Sequence, residues 1–353
     1  MLDGIIISID VMGGDDAPDI VIKGCEYFLK HIGQSRRARF LLHGDEAAIT
    51  ALLKKAPKTA QRSEILHTDT AVEMDAKPSQ ALRRGKGTSM WNTIASVKAG
   101  EARVAISAGN TGALMAMSKL QLRMKAGVQR PAIASIWPSA TGKCVVLDVG
   151  ANLECDEVQL TEFAVLGEAY CRAISGKQAP AVGLLNVGSE DGKGTAIYKN
   201  AHKRFQELDF GLNYIGNVEG NDISKGAVDV VVTDGFTGNI ALKTAEGTGR
   251  LIGGFVKEAL DDNILGKLAK IINALAFKRL KARIDPRNFN GGAFLGLNGV
   301  VVKSHGGTDK IGFANALNVA MSLAESDFNA EIESTLARLH DAELEIETTT
   351  SEV

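Results

Sequence analysis

Cysteine is scarce and badly placed for a framework. Cys25, Cys144, Cys155 and Cys171 form no C-x-x-C pair and lie in apolar or helical patterns, which suits reduced, buried thiols and excludes a disulfide scaffold. The six histidines are scattered, with no H-E-x-x-H and no acid at ligand spacing, so no metal and no cofactor is expected. No run of about 18 apolar residues is present to cross a bilayer. The opening MLDGIIISIDVMGG carries an acid where a secretory signal would be basic, so its apolar run reads as a first strand and a cytoplasmic protein is expected. A net charge of −2 gives no global pull on nucleic acid, so anion binding has to be local. Internal repeats and low-complexity linkers are missing as well.

What is present is a chain of 353 residues, 45% hydrophobic, with short apolar runs alternating with helix-forming ones. That alternation predicts an α/β protein able to bury a large core. Four strand-to-helix turns carry polar groups. The central one is 104–117, VAISAGNTGALMAM, where Gly109, Asn110, Thr111 and Gly112 open a helix whose first N–H groups can be capped or can bind an anion. The others follow strands at 4–9 (IDVMGGDDAP), 181–186 (Gly188 to Thr195) and 229–233 (Asp234 to Asn239), while LDVGAN places Asp148 and Asn152 after strand 144–147. Several such turns in one sheet suggest a single cleft. The turn at 188–195 resembles a P-loop but lacks the G-x-x-x-x-G-K-[ST] spacing, because Gly194 stands where the hydroxyl belongs.

Three further stretches stand out. Arg83, Arg84 and Lys86 form a basic, glycine-flanked loop suited to an acidic partner. Within 263–284, Ile264, Leu265, Leu268, Ile271, Ile272 and Leu275 recur at helical spacing. Lys267, Lys270, Lys278 and Arg279 supply a basic face with no acid, the pattern of a helix or hairpin (about 251–284) lying on an anionic membrane, or of a helix packed on its own core or on a second subunit. Residues 289–299 read as a glycine-dense loop, 213–222 as a polar turn, and 341–353 as an acidic, disordered tail after one two-lobed domain at 1–340.

Together IDVMGGDDAP, SAGNTGALMA, LDVGAN, LLNVGSEDGKG, NYIGNVEGNDI, VVTDGFTGNIALK and GGAFLGLNGVVVKSHG resemble the bacterial phosphate acyltransferase (PlsX) family across residues 9–320. The resemblance implies a three-layer α/β/α fold with a mixed, mostly parallel sheet, like isocitrate and isopropylmalate dehydrogenases. It also implies a homodimer peripherally bound to the inner face of the plasma membrane, feeding a glycerol-phosphate acyltransferase. The implied reaction joins inorganic phosphate to the acyl group of acyl carrier protein, releasing acyl phosphate.

Phosphate is already a nucleophile, so that chemistry needs positioning and oxyanion donors rather than a covalent residue. Asn110 with Thr111, Ser189 with Lys193, and Gly238 with Asn239 are expected to hold phosphate and the oxyanion. Asp148, Asn152 and Asp234 would orient these donors or the carrier's arm, and His305 would assist proton transfer to the thiolate. Arg83, Arg84 and Lys86 would dock the carrier. Rival readings are a coenzyme A-dependent phosphate acetyl- or butyryltransferase, a decarboxylating dehydrogenase, for which no nucleotide fingerprint is found, and a non-catalytic scaffold binding the carrier at a membrane.

Overall fold

A computed structural model describes residues 4–261, 272–276, 279 and 285–351. Among the described residues eleven strands form one sheet: β1 (Ile5–Asp10), β2 (Ala38–Gly44), β3 (Ser63–His67), β4 (Val104–Ser107), β5 (Ala132–Ser139), β6 (Gly142–Leu147), β7 (Val182–Leu185), β8 (Tyr214–Val218), β9 (Val230–Val232), β10 (Gly292–Leu295) and β11 (Val300–Lys303). Their order is β3-β2-β1-β4-β11-β10-β5-β6-β9-β7-β8. The sheet is mixed and mostly parallel, as the family resemblance implies. β10 runs against both β11 and β5, and β5 against β6, so β6, β9, β7 and β8 point opposite to β1, β2, β3, β4 and β11.

Period-two alternation decides which side chains face which layer. Ile7, Ile9, Val104, Ile106, Val300 and Val302 face one layer, where helix Lys310–Glu325 covers them with helix Asp19–Tyr27 packed beside it, while helix Glu157–Ser175 covers β6 and β9 on the same face. The other face carries two separate clusters that share only Ile133 at their margins. Ala105, Val301 and Phe294 pack under helices Ser89–Lys98 and Thr111–Leu122, and Cys144, Val146 and Val231 pack beside Ala241 and Leu242 of helix Gly235–Asp261.

Three expectations are corrected. The glycine-dense stretch 289–299 contains β10, a central strand, because Ala293 and Phe294 pair on both sides, Leu295 pairs with β5, and all three are buried despite their glycine flanks. The polar turn at 213–222 contains β8, an edge strand whose one-sided pairing tolerates polar residues. The segment from 341, expected to be disordered, continues helix Phe328–Ser351. Leu336, Leu339 and Ala342 are buried at helical spacing, and Glu343 pairs with Arg204. The first limb expected at 251 belongs to the 27-residue helix Gly235–Asp261. Ile264, Leu265, Lys267, Leu268, Lys270, Ile271 and Lys278 lie outside the described residues; Ile272, Leu275 and Arg279 are exposed.

Glu162 on the buried helix Glu157–Ser175 accepts a 2.9 Å hydrogen bond from the Gln129 N–H. Burial pushes its carboxyl up to about 7, with Asp156 and Glu343 adding repulsion. A raised folded pKa means that the folded chain holds this proton more tightly than the unfolded one, so stability falls as pH rises from about 4.5 through about 7. Glu162→Gln keeps an acceptor for Gln129 and removes the titration. Its Tm advantage over the parent is expected to grow between about pH 5 and 8; a constant difference in calorimetry would refute this.

Candidate active site

Three neighbouring parallel strands end together at one edge of the sheet. Register pairs Asp10 of β1 with Ser107 of β4, and Ser107 with Lys303 of β11. All three side chains leave the same face, the one bearing the helix Gly235–Asp261, so an acid, a hydroxyl and a cation form one row at strand spacing, ~4.8 Å per step.

Asp10 is 1% exposed. Its Oδ1 accepts from Ser89 Oγ at 2.6 Å and its Oδ2 from Ser107 Oγ at 2.7 Å, while Ser107 Oγ accepts from the Gly109 N–H at 2.9 Å. Gly13 is required here, since a Cβ on it would lie 2.5 Å from Asp10 Oδ2 and 2.7 Å from Gly109 N. The turns after β1 and β4 are thus in direct contact. The loop after β11 joins them: Asp15 N donates to Gly306 O at 3.1 Å, and Asn290 Nδ2 holds Ser304 Oγ at 2.8 Å while its Oδ1 receives the His305 N–H at 3.0 Å.

Lys303 is the cation of this cluster, and the predicted set omits it. Its Nζ donates to the carbonyls of Ala108, at 3.4 Å, and Ser304. An ammonium has three protons, so one is left for a ligand. Burial pushes its pKa down to about 8, against the pull of Asp10 and Asp15. The signal was a Lys closing the β-branched run VVVK, directly before Ser-His-Gly. Its neighbour His305 is exposed, and its Nδ1 accepts from the Gly307 N–H at 3.2 Å, which places the neutral ring's proton on Nε2. Desolvation first, then Lys243 and Lys303, lower its pKa.

The central turn behaves partly as expected. Asn110 caps helix Thr111–Leu122 through Oδ1, at 2.9 Å from Ala113 N, and its Nδ2 ties down the Met74 and Ala76 carbonyls at 2.7 and 3.0 Å. Its amide is therefore spent on structure. Gly109 and Gly112 leave room for Met90 and Pro78, and Thr111 is exposed at the helix start.

The remaining predicted residues do not join this edge. Because β6, β7 and β9 run the other way, Asp148, Asn152, Ser189, Lys193, Gly194, Asp234, Gly238 and Asn239 leave the opposite edge. Asp148 is wholly buried: its carboxylate accepts from the N–H groups of Ile133, Gly150, Ala151 and Asn152 and from Asn152 Nδ2, at 2.7–3.1 Å. Asn152 also donates to Pro131 O at 2.8 Å. These two residues tie loops together instead of facing a ligand. Asp234 caps the long helix through Thr237 N at 2.8 Å and receives Tyr198 Oη at 2.5 Å. Asn239 donates to Val149 O at 3.1 Å, and a Cβ on Gly238 would overlap the Asp148 carbonyl at 1.9 Å. Lys193 is half exposed, 4.0 Å from Glu190, and Ser189 is exposed. Gly194, at φ +87°, lets the loop fold onto Asn186. The two edges are linked by helix Gly235–Asp261, which follows Asp234 and carries Lys243 and Glu246 to where their charges act on His305.

Among the described residues no group of His, Cys, Asp or Glu is arranged to hold a metal, and no helix is long and apolar enough to cross a membrane. All four cysteines are buried, with Cys144 and Cys155 pushed up to about 12 by burial, which leaves no reactive thiolate. Arg83, Arg84 and Lys86 are exposed at the end of helix Pro78–Arg84, which packs against helix Thr111–Leu122.

Comparison with known proteins sets this geometry in a family. The fatty acid synthesis protein family matches residues 5–331. The chain is 55% identical to a phosphate acyltransferase of Maricaulis maris over 94% of each chain, and 53% identical to one of Caulobacter vibrioides over 96% of this chain and 93% of the relative. Its fold is similar to that of the phosphotransacetylase EutD from Staphylococcus aureus, with a TM-score of 0.61 at 17% identity, covering 91% of this chain and 94% of that one. With identity above one half over nearly its whole length, the chain belongs to the phosphate acyltransferase family and is an acyltransferase of fatty acid and phospholipid synthesis.

Proposed function

We propose that the chain moves the acyl group of fatty acyl carrier protein onto inorganic phosphate at the Asp10–Ser107–Lys303 edge, forming acyl phosphate for phosphatidic acid synthesis. The observation that carries this reading is Lys303, a partly buried ammonium with a proton to spare among three glycine-rich turns. A cation in a low-dielectric pocket binds a phosphate dianion strongly, and the neutral Nε2–H of His305 offers a second donor.

Phosphate needs no activation beyond placement. One of its oxygens bonds to the thioester carbon, the C–S bond breaks, and the electron pair leaves with sulfur. The proton of hydrogen phosphate neutralises the thiolate, toward which the Nε2–H of His305 donates a hydrogen bond, so that no outside reagent is consumed. Lys303 and the turn N–H groups stabilise the developing oxyanion. Arg83, Arg84 and Lys86, one short helix from the Asn110 turn, receive the acidic carrier. The exposed Leu251, Ile252, Phe255, Ile272 and Leu275 meet the anionic inner face of the plasma membrane, where a homodimer of the cytoplasmic protein would deliver acyl phosphate to a glycerol-phosphate acyltransferase.

The test is incubation of the purified protein with acyl carrier thioester and phosphate, followed by hydroxylamine trapping. A phosphate-dependent hydroxamate is expected, formed faster from carrier thioester than from acyl-coenzyme A. Equal or better use of acyl-coenzyme A would favour the phosphate acetyl- or butyryltransferase reading, and no product from either the scaffold reading.

A further inference from the structure

We infer that Asp10 is the positioning residue of this site: gripped by Ser89 and Ser107, its carboxylate fixes the Gly109 turn and supplies the negative charge against which Lys303 is held for phosphate. The inference rests on Lys303 meeting phosphate, as proposed above.

Asp10 is too deeply buried to touch a substrate, so any influence passes through its neighbours. Two routes are visible. The first is a hydrogen-bond chain. Ser107 Oγ accepts the Gly109 N–H, so its single proton goes to Asp10, and Ser89 donates to the other oxygen. Burial raises the Asp10 pKa, and the two hydroxyl donors, the Met12 N–H and the charge of Lys303 oppose that rise; the direction of the Ser107 hydroxyl, hence the seat of the Gly109 N–H, is set by Asp10.

The second route is electrostatic. The charged and titratable groups that face Lys303 are Asp10 from β1, Asp15 from the following turn and His305 from its own loop. Burial favours the neutral amine, and Asp10 leads the two acids that oppose this. Asp10 therefore extends the pH range over which Lys303 is a cation. The row set by strand register makes this geometry independent of any loop: the acid, the hydroxyl and the cation are the last residues of three hydrogen-bonded strands.

The experiment measures KM for phosphate and kcat from about pH 6 to 9.5 in the parent, Asp10→Asn, Ser107→Ala and Lys303→Met proteins, with Tm recorded for each. In Asp10→Asn the alkaline rise of the phosphate KM is expected to begin about one pH unit lower than in the parent. In Ser107→Ala the phosphate KM is expected to rise about tenfold at every pH, with the alkaline limb unmoved. An unmoved limb in folded Asp10→Asn overturns the inference. Should Asp10→Asn fail to fold, Ser107→Ala decides alone, and an unchanged phosphate KM overturns it. Full activity in Lys303→Met would instead overturn the underlying reading of the site, so the two failures are distinguishable.

Discussion

Lys303→Met is expected to lower kcat/KM for phosphate by about a hundredfold or more while leaving the fold intact. Methionine preserves the length and apolar stem of the side chain, so the packing at the end of β11 survives and only the ammonium is lost. That ammonium is the cation of the cluster, and removal of one preorganised donor to a developing oxyanion costs about 10²–10³ in rate. The parent's own pH profile is expected to carry the same signature. With its pKa pushed down to about 8, Lys303 is protonated at neutral pH and loses its proton as pH rises through that value, so phosphate affinity falls on the alkaline side. Steady-state kinetics in phosphate checks both points. A Lys303→Met enzyme with the parent's phosphate dependence would remove Lys303 from the site.

The second large effect is on stability. Asp148→Ala is expected to lower Tm by on the order of 8 °C. Five N–H donors converge on this one buried carboxylate, four from the backbone and one from Asn152. Each buried donor left without an acceptor costs ~1–3 kcal/mol, and a total of about 4 kcal/mol corresponds to that shift at ~2 °C per kcal/mol for a large domain. Asp148→Asn keeps part of the acceptor capacity and should lose less. Calorimetry of the two variants checks the order; a Tm for Asp148→Ala within about 2 °C of the parent would show that water satisfies the donors and that the knot is dispensable.

These two residues also mark where the sequence was readable and where it was not. The runs IIISI, RFLLH and VVVK announced their strands because short apolar stretches with a glycine at one end have few alternatives. β10 went unread because Gly291, Gly292 and Gly296 disguise three apolar residues, and because its second pairing partner, β5, is distant along the chain. Strand direction was equally hidden. Each polar turn was visible as a turn, yet whether turns meet depends on which way their strands run, and the reversal at β10 and β6 sends Lys193 and Asp234 to the other edge from Asn110 and His305. Asp148 looked like a ligand-binding acid because a buried acid at a strand end has two uses, and only its donors reveal the second. Lys303 was overlooked as the last letter of a strand, since register, which sets it beside Ser107 and Asp10, is a property of pairing and not of spacing.

The place of β10 and β11 has a consequence for how the chain reaches this form. They lie between β4 and β5, although they are made last among the strands. Until residues 292–303 arrive, the half-sheets ending in β4 and β5 each present a bare edge, the kind of surface that recruits strands from other molecules. Insertion of a late hairpin into a central slot is a non-local closure, which slows folding and lengthens that exposure. The row of Asp10, Ser107 and Lys303 is completed by the same event, so the proposed phosphate site forms only once the seam has closed.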